Sequence, residues 1–260
     1  MLKRFNMQHA VPAKTPLPHS LPLLKATQLD RRCDQLEYTE ITGSLNHLAV
    51  YSRPDIAFAV STLSQFNSDP TTTHMQAARH VLRYLLNTVN YSITYGNSSD
   101  LAIRGYADAN WGGDRNDRKS TTGYIFFVNN GAISWTSHKQ STVALSTMEA
   151  EYMSLSDASR EAIARIHLYS DLDVSTVSPP LLYSDSTSGF SLTNECAPYQ
   201  RSKHIDTRYY YIRDILENGD IQVDYVSSAK NPADVFTKAL GAESHHRCVI
   251  GMGLKSVYVQ

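Results

Sequence analysis

The 260-residue sequence predicts an α/β fold: a mixed sheet with packed helices, preceded by a small helical unit. Three observations carry this. Residues 39–86 hold apolar residues at helical spacing, without alternation. Residues 101–136 alternate in strands that are broken by Asn129-Asn130-Gly131, a hairpin signal. A long periodic run then leads through Pro179-Pro180 to a lone strand, as a crossover connection requires.

Residues 1–37 carry Pro12, Pro16, Pro18 and Pro22 and read as an extended linker or strap. A helical segment spans 38–95. Its helices are Thr39–Val50 (Ile41, Leu45, Leu48), Asp55–Phe66 (Ile56, Val60, Leu63) and His74–Leu86, with Tyr91–Tyr95 as a strand. Pro54 falls near a first turn, where its missing N–H costs little. Residues 96–240 form the sheet domain. Its expected strands are Leu101–Asp108, Gly123–Val128 and Ala132–Thr136, followed by a helix over Leu145–Tyr169 and a strand over Leu181–Asp185. A helix starts in Ser186–Asn194, and another covers Ile205–Glu217 and ends at Asn218-Gly219. Ile221–Val226 is a strand, Pro232–Leu240 a short helix, and 241–260 a C-terminal tail.

Composition narrows the function. Hydrophobic residues make up 42% and charged residues 19%, which excludes disorder throughout. Lys+Arg is 24 against 25 Asp+Glu, so bulk positive charge cannot hold nucleic acid, although a local basic track is allowed. Residues 101–260 hold 18 acids and 15 bases, and metal chemistry is to be sought there. Cys33, Cys196 and Cys248 suit neither a disulfide framework nor a CxxC zinc site, which favours a reducing, intracellular setting. No apolar run approaches the roughly 18 residues of a membrane span, and the N-terminus has no signal-like apolar region.

Four acids form the candidate catalytic and metal-ligating set: Asp108 ending the first strand, Glu151 in the long helix, Asp185 ending the fourth strand, and Asp234 opening the last helix. Each alone is equally readable as a strand-end acid, a surface residue or a cap. Together they would repel one another unless a divalent cation neutralised them. Oxygen ligands select Mg²⁺ or Mn²⁺. Two such ions about 3.5–4 Å apart can clamp the attacking and leaving oxygens of a phosphodiester.

Glu149 competes with Glu151. At about 100° per residue from Met148, a stripe of Met148, Leu145, Tyr152, Leu155, Ala162 and Ile166 centres near 0°. Glu151 falls at about −60°, on the edge of that stripe, and Glu149 at about 100°, outside it. Glu151 is therefore the better ligand.

Several motifs occur in register. They are Gly105-Tyr-Ala-Asp-Ala-Asn-Trp-Gly-Gly-Asp114, Arg118-Lys-Ser-Thr-Thr-Gly-Tyr124, Ile133-Ser-Trp-Thr-Ser-His-Lys-Gln140 and Ser146-Thr-Met-Glu-Ala-Glu-Tyr152. Tyr183-Ser-Asp-Ser186, Arg201-Ser-Lys-His-Ile-Asp-Thr-Arg-Tyr209 and Asn231-Pro-Ala-Asp-Val-Phe-Thr-Lys238 follow in order. Together they resemble the ribonuclease H region of copia-type retrotransposon Pol polyproteins. Upstream, Gly43–Ala49, Arg53–Ala57 and Ala77–Tyr84 are similar to the segment joining reverse transcriptase to that region.

The resemblance implies a ribonuclease H-like fold and hydrolysis of the RNA strand of RNA–DNA hybrids, with Asp108, Glu151, Asp185 and Asp234 at the family's four acidic positions. A reverse-transcriptase domain of the same polyprotein is an implied partner, and no membrane is. Asn110 departs from a frequent aspartate, and Ser227–Lys230 lacks the mobile histidine of cellular ribonucleases H. That leaves the proton donor unassigned, with His204 as a substitute to weigh. Neither a Tyr-x-Asp-Asp polymerase motif nor an Asp-Ser/Thr-Gly protease motif occurs, so the chain reads as a fragment of a longer polyprotein. Arg115, Arg118, Lys119, Lys139, Arg201, Lys203 and Arg208 are the candidate phosphate contacts. Trp111 and Trp135 are assigned to core packing. The alternatives are a catalytically silent remnant serving as a structural or nucleic-acid-binding module, and an integrase-type nuclease, whose acid order fits less well.

Overall fold

A computed structural model describes residues 1–19, 21–97, 101–174, 178–186 and 203–257. The expected helix start in Ser186–Asn194 lies outside them, apart from Ser186 itself.

The chain opens with α1 (Gln35–Tyr51), a 3₁₀ turn (Pro54–Ile56), α2 (Ala57–Ser64) and α3 (Thr72–Asn87). Asp34 caps α1 by accepting the Glu37 N–H. Tyr38, Ile41 and Leu45 of α1 pack with Val60, Leu63, Val81 and Leu82 in one apolar cluster. The proline-rich segment is laid along this unit. Ala13 N donates to Arg83 O, His80 Nε2 lies 3.1 Å from Thr15 O, and Leu17 is buried. The segment continues to the sheet domain, where Asn116 contacts both Leu23 O and Lys25 N.

A five-stranded mixed sheet follows, built from β2 (Arg104–Asn110), β3 (Thr121–Val128), β4 (Gly131–Lys139), β5 (Leu181–Ser184) and β6 (Gln222–Tyr225). Its order is β4-β3-β2-β5-β6. β3 runs antiparallel to β2 and β4, while β5 is parallel to β2 and β6. The α/β class with a preceding helical unit is as the sequence predicts. The β3–β4 hairpin turns on Asn129 and Asn130, both at positive φ, the combination a type I′ turn needs. Gly131 already belongs to β4, and a Cβ there would meet the Tyr95 ring at 2.3 Å. The glycine serves close packing, not the turn.

On one face of the sheet α4 (Thr147–Asp171) and α5 (Lys203–Glu217) cover Ala107, Phe126 and Leu182 through Leu155, Ala158, Ile212 and Ile215. On the other, Ile125 and Phe127 pack with Val235, Phe236, Val249 and Met252. Part of that layer comes from the segment expected to be a tail. It forms α6 (Ala242–Gly251) and β7 (Leu254–Ser256), and β7 pairs antiparallel with β1 (Tyr91–Ile93). The expected helix Pro232–Leu240 is shorter, a 3₁₀ turn over Pro232–Phe236. Among the described residues no helix is long and apolar enough to cross a membrane.

Trp111 corrects an expectation: it is 45% exposed, with Nε1 donating to Ala144 O. It follows β2 directly, where the chain leaves the sheet. Trp135 is partly buried, and its Nε1 donates to Ala49 O, joining β4 to α1.

Candidate metal centre

Parallel pairing of β2 with β5 matches Ala107 to Ser184, so Asp108 and Asp185 follow at the same end of adjacent strands. Asp234 arrives from across β3. Gly123, the register partner of Asp108, lets the 3₁₀ turn close on the sheet; a Cβ there would meet Phe236 Cβ at 2.6 Å. Asn231 secures the turn, its Nδ2 donating to Ala107 O and its Oδ1 accepting from Ala233 N. Asp108, Asp185 and Asp234 each present one ligand atom, all within 4.8 Å of one another.

Glu151 approaches from α4, near enough for the charges of Asp108 and Asp185 to act on it. It is not one of the three carboxylates whose ligand atoms converge. The helix begins at Thr147, two residues later than the periodicity predicts, and Leu145 (83% exposed) and Met148 (50%) lie outside the core. The buried face is lined instead by Ala150, Ser154, Ala158 and Ala162, residues small enough to bring the helix against β2. Ser154 Oγ donates to Asp108 O at 2.7 Å. Glu151 lies well within this face. Glu149 accepts from Leu145 N, just before the helix, while its own N–H is capped by Ser146 Oγ.

Burial pushes the Glu151 carboxyl up to about 9, with Asp108 and Asp185 adding repulsion. Its Oε2 is buried without a hydrogen-bond partner. Burial also raises Asp108, opposed by the nearby Lys238 charge and reinforced by Asp234. Asp234 is raised for the same first reason. Four crowded carboxyls, one with an orphaned oxygen, suit a hard divalent cation that would supply the missing positive charge.

Three neighbours escaped the sequence reading. Thr237 Oγ1 donates to Asp108 Oδ2, and Ser228 Oγ to Asp185 Oδ2. Lys238 Nζ lies 2.9 Å from Asp234 Oδ1 and 4.0 Å from Asp108 Oδ2. The signal was available: Lys238 stands four residues after Asp234, a spacing that faces two side chains on a helical turn. Asn110 also has a definite task, donating Nδ2 to Thr237 O at 3.2 Å, which an aspartate could not do.

The basic candidates scatter. Arg115 and Arg118 are exposed, while Lys119 donates to Ser141 O. Lys139 is not an available cation, being paired with both Asp114 and Asp117. Arg208 lies 3.4 Å from Asp157. Arg201 lies outside the described residues, as do the side chains of Lys203 and His204.

No family model matches the chain. It is 37% identical over 261 residues to the retrovirus-related Pol polyprotein from transposon TNT 1-94 of Nicotiana tabacum, covering 98% of this chain and 20% of that protein. To the counterpart from transposon RE1 of Arabidopsis thaliana it is 38% identical over 259 residues, covering 99% and 17%. Among solved structures, LC11-RNase H1 in complex with RNA/DNA hybrid is similar at 14% identity and a TM-score of 0.38, covering 52% of this chain and 93% of that one. The chain thus spans about a fifth of the length of the curated relatives it matches. With identity at this level running over nearly all its residues, the chain belongs to the copia-type retrovirus-related Pol polyproteins.

Proposed function

We propose that this chain is the ribonuclease H segment of such a polyprotein and hydrolyses the RNA strand of RNA–DNA hybrids. One observation carries the reading: three carboxylates with ligand atoms within 4.8 Å, two of them at the carboxyl ends of parallel strands, near a half-buried Glu151. Asp108, Glu151, Asp185 and Asp234 are the proposed ligands of Mg²⁺ or Mn²⁺, as two ions. Bound there, the metal supplies an activated water and charge stabilisation of the leaving oxygen in an in-line displacement.

The protein's own residues fix the geometry. Thr237 holds Oδ2 of Asp108 and Ser228 holds Oδ2 of Asp185, and these bonds orient the two carboxylates. Ser154 ties the Asp108 backbone to α4 and so fixes the spacing from Glu151. Arg115, Arg118 and Lys119 are the proposed hybrid contacts. The RNA strand would be told from DNA by its 2′-hydroxyls. A reverse-transcriptase domain of the same polyprotein is the proposed partner of the helical unit.

The silent-module reading has one observation in its favour, since Lys238 already neutralises Asp234. Incubating the purified protein with RNA-labelled hybrid and Mg²⁺, beside duplex DNA and duplex RNA, separates the two. Cleavage confined to the hybrid, abolished by EDTA and lowered more than about a hundredfold by Asp108→Asn or Asp185→Asn, supports the nuclease. Hybrid binding without cleavage supports the module.

A further inference from the structure

A second cleft, of about 640 Å³, lies between the start of β2, the 229–232 turn and the C-terminal elements α6 and β7. Among the described residues Arg104, Lys230, Arg247 and Lys255 line it, and no carboxylate does. All four are exposed. Among the described residues none of them is within ion-pairing distance of an acid, and Arg247 has only a 3.3 Å contact to Ser244 Oγ. Four unneutralised cations around one concavity focus positive potential there, in a protein whose net charge is -1.

The floor of the cleft is aromatic. Tyr106 is half-buried and stacks on Tyr183, with centroids 4.9 Å apart and planes at 22°, and it meets Phe127 edge-on. An acidic peptide or an inorganic anion would use the cations and leave this surface idle. A polynucleotide uses both, through phosphates on the cations and a base on the ring. The base must be unstacked to reach Tyr106, which selects a single strand over a duplex.

Strand alternation places Arg104, Tyr106 and Asp108 on one face of β2. Arg104 therefore stands about 13 Å from Asp108, at four residues of about 3.3 Å each. The two sites are separate, yet one strand can span them.

We propose that this cleft binds a single-stranded polynucleotide, with phosphates on Arg104, Lys230, Arg247 and Lys255 and a base against Tyr106. The activity requires no hydrolysis and is additional to it.

The test is anisotropy of a fluorescein-labelled 12-nucleotide oligouridine or oligothymidine with the full chain in EDTA, titrated across salt. Arg247→Ala combined with Lys255→Ala should raise Kd about tenfold and flatten the salt dependence by about 1.4, at about 0.7 for each phosphate no longer neutralised. Tyr106→Leu should raise Kd several-fold while the protein still melts cooperatively. Lys3→Glu, remote from the cleft, should change nothing. An unchanged Kd in the double variant overturns the proposal, as does an equal loss in the Lys3 control. Displacement of the oligonucleotide by polyglutamate at equal charge concentration also overturns it, because the cleft would then accept any polyanion. Binding that persists in a protein unable to cleave hybrid leaves this proposal standing and removes the nuclease; cleavage with no single-strand binding does the reverse.

Discussion

Glu151 is held in the wrong charge state for neutral water, with its carboxyl pushed up to about 9 by burial and by Asp108 and Asp185. A raised carboxyl favours the folded state fully below its unfolded value, about 4.5, and loses that contribution as pH rises toward 9. In metal-free buffer at pH 8, Glu151→Gln should therefore raise the melting temperature, by about 2–4 °C for each kcal/mol of repulsion removed, and leave it unchanged at pH 4. Added Mg²⁺ should stabilise the native protein more than the variant. A thermal melt series over pH, with and without Mg²⁺, checks both; a lowered melting temperature at pH 8 without metal would remove the account. Glu149→Gln keeps the acceptor for Leu145 N and loses only a favourable charge at the helix start, about 0.3–1 kcal/mol, and should leave hybrid cleavage within a few-fold. Periodicity distinguished these two glutamates, but through a stripe that included the exposed Leu145 and Met148. Hydrophobicity marks where oily residues fall. It does not mark where alanines and serines permit close approach, and it is Ala150, Ser154 and Ala158 that bring this helix to the sheet.

Among the elements, the 3₁₀ turn Pro232–Phe236 matters most to the site, because it carries Asp234 onto β3 at a residue without a Cβ. Gly123→Ala forces contact with Phe236 Cβ and Ala233 O. The expected cost is about 1–3 kcal/mol of stability, with hybrid cleavage falling further than stability accounts for. Chemical denaturation and single-turnover cleavage on the same preparation test this, and full activity in a destabilised variant would show that the turn does not set the Asp234 position. The strands, long helices and hairpin are legible in sequence because alternation and 3.6-residue spacing report them directly. Thr237 and Ser228 are not, since their importance comes from where a short irregular turn lands, while Lys238 was signalled only by its spacing from Asp234. The same holds for α6 and β7, whose burial comes from distant parts of the chain: β1, the sheet, the 3₁₀ turn and the helical unit.

The whole molecule is joined by a buried polar knot. Arg53 grips Asp55 through Nε and Nη2, Tyr84 donates its hydroxyl to Asp55, and Arg53 also reaches Thr88. His245 of α6 lies 3.4 Å from Asp55 O, so the knot ties the helical unit to the C-terminal layer. Asp55→Ala strands a buried guanidinium and should cost about 3–5 kcal/mol, measured by chemical denaturation. Burial lowers His245 below its ordinary value, so its contribution is fully present above about 6.5 and lost as pH falls through its lowered value. His245→Gln should blunt the acid side of a stability profile while leaving the alkaline side unchanged.

The pairing of Tyr91–Ile93 with Leu254–Ser256 also bears on biosynthesis. The helical cluster holds only residues from the first 85 positions among its buried members, so it can condense while the rest is still on the ribosome. β1 cannot be completed then, because its partner, Leu254–Ser256, is made much later. The small ribbon closes late over a separation of more than a hundred and fifty residues, the kind of pairing that slows folding. A nascent chain halted before Leu254 would hold an ordered helical cluster and an unpaired strand. Such a strand is a ready template for another copy's edge, and Leu254–Ser256 cover it against that.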